Sequence, residues 1–366
     1  MSVVVVGRVA MCLALGAVLV AGCARFDDSA SSPFTPEPTF NPADPKPPSN
    51  TPPSTTRPSG PCIDPDPAVV ATCLDTTGGI IGISEGALVA ERRTGRILKV
   101  VDPDTPPVEV AKVDVDGSTD GGLSDIALSP TYREDGLMYA YITTGSDNRV
   151  VRIGEGGSQK DILTGIPKGQ TGNHGALEWA TPDQLLVLTG DAGNPGLAST
   201  PSSLAGKVLR VDSPAPGASS SIVLSGIGVA GDLCRDGKDS VWITDRTPGE
   251  DRLQRLGPDG QVSVGWTWPD RPGVAGCAAA VDGVAVAMTS AKALALATVD
   301  ENTHAITTAP SLLSQDKYGQ LGGATIGPDG SFWVGTVNKT DGQPGPNDDR
   351  VVRIPLPQSG GGGGPD

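Results

Sequence analysis

The chain has 366 residues, a formal net charge of −15 and high contents of glycine (50) and proline (34). This length suits one large domain or two ordinary ones, and the acidity argues against a nucleic-acid partner because phosphate groups would be repelled. No stretch clusters Lys and Arg as nucleic-acid-binding proteins do. Much of the glycine and proline excess lies near the two ends, which indicates a folded centre between low-complexity segments.

The N-terminal stretch MSVVVVGRVAMCLALGAVLVAGC has the pattern of an export signal. A single Arg8 precedes an apolar run that is too short for a comfortable membrane span. The final VAGC resembles the bacterial lipobox, and this resemblance implies cleavage before Cys23 and a diacylglyceryl group on its sulfur. We therefore expect a lipoprotein signal peptide over residues 1–22 and a lipid-anchored protein on the extracytoplasmic face of the cell membrane. The alternatives are a secreted protein cut nearby and a simple anchor helix.

Two segments are expected to be disordered. Residues 23–61 form a lipid-bearing stalk that is dominated by Pro, Ser and Thr and has too few apolar residues for a core. An extended, polyproline-like stalk of this length would reach on the order of 100 Å at about 3 Å per residue. The Gly-rich tail, residues 358–366, is the second such segment.

Residues 62–357, between these segments, show short apolar strands separated by Gly, Asp and Pro turns. A motif of a turn residue, a base and alternating apolar residues recurs six times, and each copy follows another apolar strand. The copies are GRILKV (95–100), NRVVRI (148–153), GKVLRV (206–211), DRLQRL (251–256), AKALAL (291–296) and DRVVRI (349–354). Six such units predict an all-β fold, a six-bladed β-propeller, because single blades cannot bury both faces alone. A β-sandwich competes, but it does not require six matched copies.

Four cysteines lie in the exported part, where disulfides persist: Cys62, Cys73, Cys234 and Cys277. Four cysteines allow three pairings. The pattern favours Cys62–Cys73, which closes a short local loop, and Cys234–Cys277, which occupy matching places in adjacent repeats. A zinc site is the weaker interpretation, because no CxxC pair or nearby histidine supports it.

Three segments resemble the glucose/sorbosone dehydrogenase family, the soluble quinoprotein sugar dehydrogenases. They are DGGLSDIALSPTYREDGLMYAYIT (120–143), LLVLTGDAGNPGLASTPSSLAGKVLRVD (185–212) and GPDGSFWVGTVNKTDGQPGPNDDRVVRI (327–354). The resemblance extends from residue 78 to about residue 355 and supports the propeller. The lipobox, stalk and propeller together are similar to the LppZ-type lipoproteins of actinobacteria.

The resemblance implies a sugar dehydrogenase that uses pyrroloquinoline quinone (PQQ) and Ca²⁺ over the central channel. A histidine would take the proton of the sugar hydroxyl, the metal would polarise the quinone, and Lys and Arg would hold the carboxylates of the cofactor. On the family pattern, His174 in GNHGALEW is the catalytic base, Lys292 and Asp120 contact the cofactor, and Asp251 lies near the metal.

Other positions depart from the family pattern. Aligned on Leu177, the histidine of the family falls on Gly172, so His174 is displaced by two residues, about 6 to 7 Å in an extended segment. The Arg-Asn-Pro-Gln-Gly segment of the family is replaced by GIGVAGDLC, and its Arg-x-Arg by residues 320–322, Gln-Leu-Gly. The cofactor and metal contacts of the family are therefore only partly present.

These residues are compatible with two different functions. The first is PQQ-dependent oxidation of a sugar or polyol hydroxyl, with His174 as the base. The second is a non-catalytic propeller that has lost the PQQ and calcium site and binds an envelope glycan or a protein. For Lys292 the alternative is a repeat residue, because all six motifs carry Lys or Arg at that position.

Replacing Cys23 by serine should release the protein from the membrane fraction, because the acyl chains would have no thiol to attach to. Cell fractionation, with mass spectrometry of the mature N-terminus, measures this. The matched control is Cys12→Ser within the signal, which should leave membrane association unchanged. A Cys23→Ser protein that stays in the membrane with an uncut N-terminus would support the anchor helix instead.

Overall fold

The computed structural model describes residues 60–357, and its regular structure is built on six antiparallel sheets of four strands. The first strand of each sheet contacts the first strand of the next, and the sixth contacts the first, so the sheets form a closed ring. Each sheet is one blade of the ring. The predicted all-β, six-bladed β-propeller is therefore confirmed, and the β-sandwich is excluded.

Blades I to III each contain four successive strands, ordered from the centre of the ring outward. One short strand, β1 (Val69–Ala71), precedes them. The strands are β2 Thr77–Ile83, β3 Gly86–Glu91, β4 Arg96–Val100 and β5 Val108–Lys112 in blade I, β6 Leu123–Leu128, β7 Met138–Thr143, β8 Asn148–Ile153 and β9 Gln159–Ile166 in blade II, and β10 Gly175–Thr181, β11 Gln184–Thr189, β12 Lys207–Asp212 and β13 Ser221–Ser225 in blade III.

Blades IV and V repeat this order, whereas blade VI takes its outer strand from the start of the chain. The strands are β14 Ala230–Arg235, β15 Val241–Arg246, β16 Asp251–Leu256 and β17 Val262–Trp268 in blade IV, β18 Val274–Ala280, β19 Gly283–Met288, β20 Ala293–Thr298 and β21 Ser311–Leu313 in blade V, and β22 Leu321–Ile326, β23 Phe332–Thr336 and β24 Val351–Ile354 in blade VI. The helices are short: α1 Tyr132–Asp135, α2 Pro195–Ser199, α3 Asn338–Asp341 and a 3₁₀ turn at Glu155–Gly157.

The ring is closed by pairing its first strand with its last. Strand β1 lies antiparallel to β24, with Val69 opposite Val352 and Ala71 opposite Val351. All four side chains are buried, and Val69 and Val352 belong to the same apolar cluster. The two ends of the propeller therefore hold each other in one sheet.

Burial follows the position of a strand within its blade. The second strands are almost wholly buried, and β3 and β7 are buried at every residue, because each second strand lies between two paired strands and between two neighbouring blades. The third strands coincide with the six sequence repeats, and in β8 and β16 the two arginines are partly exposed while the other residues are buried. Outer strands such as β5 are mostly exposed. The repeated motif that predicted the blades is thus a property of their third strands.

Both favoured disulfides are present. Cys62 pairs with Cys73, and Cys234 pairs with Cys277. The second bond joins the first strands of blades IV and V, β14 and β18, and both of its cysteines are buried in the core. The disulfide pairing inferred from the sequence is confirmed.

Other expectations concern parts of the chain that the structure does not describe. The signal peptide 1–22, lipidation at Cys23, most of the stalk 23–61 and the tail 358–366 lie outside residues 60–357. The predicted propeller range, 62–357, encloses all the strands described here. Within the described range, none of the helices is long and apolar enough to cross a membrane.

Removing the Cys234–Cys277 bond should cost more stability than removing Cys62–Cys73. The two bonds span sequence separations of 43 and 11. Chain entropy then assigns about 4 kcal/mol to the longer loop and about 3 kcal/mol to the shorter one. The free energy of unfolding of the two Cys→Ser double variants, measured by urea denaturation without reductant, checks this order. A greater loss in the Cys62/Cys73 variant would contradict it.

Candidate functional site

A cavity of about 130 Å³ opens at the centre of the ring, where the first strands of the blades begin. Residues from all six blades line it, many of them glycines or other small residues. The narrow centre requires them: a Cβ at Gly78 would lie 2.6 Å from the Leu123 carbonyl oxygen, and one at Gly323 would lie 2.4 Å from that of Gly78. The backbone of the first strands therefore forms much of the cavity wall.

His174 immediately precedes β10 and lines this cavity. Burial lowers the pKa of His174 to about 4, the nearby Asp120 carboxylate opposes this shift, and the charges of Arg92 and Arg246 add to it. The imidazole is therefore neutral at neutral pH and can accept a proton. Sequence alignment displaces His174 by two residues from the family position, yet the structure brings it to the channel mouth.

Asp120 holds the loop that carries His174. Its carboxylate accepts hydrogen bonds from the Gly172 amide at 2.6 Å and from the Asn173 side-chain amide at 2.7 Å. Gly172 has a φ of +71°, which suits glycine, and Asn173 is fully buried. The Asn148 side chain, from blade II, also donates to Asn173 Oδ1 at 3.2 Å. Asp120 is not among the residues lining the cavity, so we assign it a positioning role toward His174.

Two arginines that the sequence analysis did not identify, Arg92 and Arg246, line the cavity. Each lies where the second strand of its blade ends, at the same end of the ring as His174. Arg92 donates to the carbonyl oxygens of Thr119 and Gly121, and Arg246 donates to that of Val274 at 2.9 Å. Only their position in the sequence could have identified them: Arg92 follows the apolar strand β3, Arg246 ends the apolar strand β15, and neither belongs to the repeat motif.

Lys292 lies in the turn between β19 and β20, exposed and with a φ of +50°. It is not among the residues that line the cavity. The bases at the same repeat position mostly bind acceptors close by in their own blades: Arg96 pairs with Glu91, Arg149 with Asp147, Arg252 with Asp245 and Arg350 with Asp348, while the Lys207 amine donates to three backbone carbonyls. Lys292 is therefore placed as a residue of the repeat motif, outside the cavity wall.

Asp251, the predicted metal neighbour, is completely buried at the start of β16 and does not line the cavity. Its Oδ2 accepts the amides of Gly273 at 2.6 Å and Val274 at 3.0 Å, at the entrance to blade V. Among residues 60–357, its Oδ1 has no hydrogen-bond partner. Asp251 thus fastens blade IV to blade V.

Two carboxyl groups that the sequence did not single out, Asp125 and Asp232, lie in the cavity wall. Asp125 accepts the Leu177 amide at 2.7 Å, and Asp232 accepts the Cys277 amide at 2.8 Å, so each joins its blade to the next. Burial raises the pKa of both carboxyls, to about 6 for Asp232 and well above the ordinary range for Asp125, which also faces the charge of Asp232. Deeper in the channel, burial raises the pKa of Glu178 to about 7.

The residues present fit an anionic cofactor such as PQQ better than they fit calcium. Arg92 and Arg246 offer guanidinium groups to carboxylates, and the buried Ser124 hydroxyl in the wall has no hydrogen-bond partner within the described chain. Calcium takes six to eight oxygen ligands from carboxylates, carbonyl groups and water. The wall carboxyls, Asp125 and Asp232, each accept a backbone amide of the next blade, so one oxygen of each is already engaged. They do not form a calcium site.

Comparison with known proteins agrees with this geometry. Residues 78–221, which span blades I to III and carry Arg92, Asp120 and His174, match the model of the glucose/sorbosone dehydrogenase family. The described domain is a glucose/sorbosone dehydrogenase-like propeller. The resemblance found in the sequence is therefore confirmed for the family, while Arg246, Asp251 and Lys292 lie beyond the matched range.

Solved structures share the whole propeller. The PQQ-bound aldose sugar dehydrogenase of Streptomyces coelicolor is 29% identical over 78% of this chain and 96% of its own, with a TM-score of 0.70. The apo form of the soluble aldose sugar dehydrogenase of Escherichia coli is 17% identical over 78% of this chain and 98% of its own, with a TM-score of 0.64, and shows the fold alone. An uncharacterized protein of Synechocystis is 29% identical over 168 residues, 38% of this chain and only 41% of its own length.

Glu178→Gln should stabilise the protein at pH 8 and have little effect at pH 4. The pKa of Glu178 is raised from its ordinary 4.5 to about 7, so its folded form favours the proton, and the stability that this proton provides is lost as pH rises through 7. Glutamine keeps the neutral shape at all pH values, so the gain at pH 8 is on the order of 2 kcal/mol. Urea denaturation at both pH values, with exposed Glu155→Gln as the control, measures it. A gain at pH 4 that equals the gain at pH 8 would refute the assignment.

Proposed function

We propose that the protein is a PQQ-dependent oxidoreductase that acts on a hydroxyl group of a sugar or polyol. The observation that carries the proposal is the placement of His174, Arg92 and Arg246 around one cavity at the centre of the ring. The likeness to a PQQ-bound aldose sugar dehydrogenase supports it. His174 can act as the base that removes a proton, and the guanidinium groups of Arg92 and Arg246 can hold an anionic cofactor.

PQQ, when bound, would supply the acceptor for the two electrons of the alcohol. Arg92 and Arg246 would hold its carboxylates, and the Ser124 hydroxyl would bond to a polar group of the ligand. His174 Nδ1 or Nε2 accepts the hydroxyl proton of the substrate. An anionic ligand beside His174 raises its pKa from about 4 toward the range in which a base works well.

Asp120 and Asn173 contribute indirectly by fixing the backbone next to His174. A general base loses most of its effect when it is displaced by about 1 Å, so this support is part of the site. The carboxylate of Asp120 also favours the protonated imidazole that forms after proton transfer.

The second function is a non-catalytic propeller that binds an envelope glycan or a protein at the same mouth. The positions of Lys292 and Asp251 favour it, because the structure brings neither of them into the cavity. A protein without calcium ligands would lack the metal ion that, according to the family resemblance, polarises the quinone. The two functions make different predictions for PQQ.

The lipid anchor at Cys23 would place this domain on the extracytoplasmic face of the membrane. The two disulfides support an oxidising compartment, where such bonds persist. The membrane, through the lipid, and a sugar or envelope glycan are then the partners that we propose.

PQQ should raise the unfolding temperature of the purified protein and support reduction of an artificial electron acceptor with a panel of aldoses. His174→Ala should keep the PQQ-induced rise and reduce turnover by about 10²-fold or more, because it removes only the base. Arg246→Gln should diminish the rise itself. Thermal unfolding and dye reduction, each with and without added Ca²⁺, measure these effects.

The matched control is Lys292→Ala, which removes an exposed base outside the cavity and should behave as the wild-type protein. If PQQ at high concentration leaves the unfolding temperature unchanged, the oxidoreductase is refuted and the binding propeller stands. Full turnover in His174→Ala would refute the role of His174 alone.

A further inference from the structure

A separate cluster of ionisable side chains lies at the junction of blades IV and V, at the end of the strands opposite the cavity. Asp236 and Asp239 lie in the turn between β14 and β15, and His304 lies in the connection between β20 and β21. One carboxylate oxygen of each aspartate and one imidazole nitrogen lie within 4.8 Å of one another. His304 is one of two histidines in the chain.

We propose that Asp236, Asp239 and His304 bind a zinc ion that links blades IV and V. Zinc is held by imidazole nitrogen and carboxylate oxygen at about 2.0 to 2.2 Å, and three protein ligands leave its fourth position for water. In such a tetrahedron the ligand atoms are roughly 3.3 Å apart. The exposed Asp239 side chain can close the remaining distance by rotation.

The turn that carries the aspartates is held in place before any ion binds. Asp236 is buried, and its Oδ1 accepts the amides of Lys238 at 2.8 Å, Asp239 at 3.1 Å and Ser240 at 3.1 Å. Its Oδ2 takes no part in these bonds and is the oxygen that would bind the metal. A buried carboxylate with one oxygen committed to the turn is a fixed ligand, and fixed ligands lose little entropy on binding.

The loop of blade V is held in a similar way. The His304 amide donates to the Asp300 carbonyl oxygen at 2.8 Å, and the Asp300 carboxylate accepts the Thr303 amide at 2.8 Å and the Thr303 hydroxyl at 2.9 Å. These bonds keep the histidine next to a turn of the neighbouring blade. The imidazole is the ligand that distinguishes zinc from calcium, which takes oxygen ligands.

One cation already lies near the cluster. Arg255 Nη2 is 3.6 Å from Asp239 Oδ1, and its Nε donates to the Ser240 hydroxyl at 2.7 Å. The Ser240 hydroxyl in turn donates to Asp239 Oδ1 at 2.9 Å, which holds this carboxylate in the cluster. Zinc would replace Arg255 as the partner of Asp239, and the arginine opposes binding.

The cluster lies beside the Cys234–Cys277 bond, because Cys234 is two residues before Asp236. Zinc would thus add a second bridge at a junction that already has a covalent one. The bridge would be on the face away from His174, so it would act on the stability of the ring without contacting the cavity.

Titration of the metal-free protein with Zn²⁺, followed by calorimetry and by NMR of ¹⁵N-labelled histidine side chains, tests the proposal. With two histidines in the chain, the ring signals can be assigned by comparison with His174→Ala and His304→Ala. We expect one equivalent of zinc to bind, to shift the His304 signals and leave those of His174 in place, and to raise the unfolding temperature.

His304→Ala and Asp239→Asn should each weaken binding by about tenfold or more, as loss of a ligand does, whereas His174→Ala should bind as the wild type does. Arg255→Gln should bind more tightly. Absence of saturable binding, unchanged affinity in His304→Ala, or a shift of the His174 signals would overturn the proposal. Circular dichroism of each variant shows that it is folded.

Discussion

The arrangement of this propeller depends on carboxylates of one blade that accept hydrogen bonds from backbone amides of the next. Asp125 in blade II binds the Leu177 amide, and Asp232, at the same place in blade IV, binds the Cys277 amide. Asp120 and Asp251 make equivalent bonds near the mouth. Amides at the start of a strand need an acceptor when they are buried, and these aspartates provide it across the blade boundary. The first strands are thereby fixed around one cavity.

The same bonds explain why acidic groups at the centre are poor metal ligands. Each carboxylate is engaged by a backbone amide of the next blade. The positive groups of the mouth, Arg92 and Arg246, come from second-strand ends and are directed to the cavity. The site therefore combines acids that join neighbouring blades with two arginines whose charge would suit the anionic cofactor that we propose.

The sequence predicted the fold well because its signal is local and repeated. The third strands, such as NRVVRI, carry a repeated motif of basic and apolar residues, and six copies define the number of blades. Cys234–Cys277 could be inferred because its cysteines occupy matching places in adjacent repeats, and Cys62–Cys73 because it closes a short local loop. The site could be predicted only in part, since it is built from turns of different blades. His174 was found as the histidine near a blade entrance, whereas Arg92 and Arg246 lie outside any motif. The exposed Lys292 and the buried Asp251 share the repeat pattern and lie outside the cavity wall.

The loop closed by Cys62 and Cys73 encloses β1, the strand that completes blade VI. A pull along the backbone from the N-terminal side reaches Cys62 first and passes through the sulfur atoms to Cys73. The Cys73 amide is in turn bonded to the Asn347 carbonyl oxygen at 2.9 Å. Tension therefore bypasses the three-residue strand Val69–Ala71. A force applied on the N-terminal side would not act directly on the pairing of β1 with β24 that closes the ring.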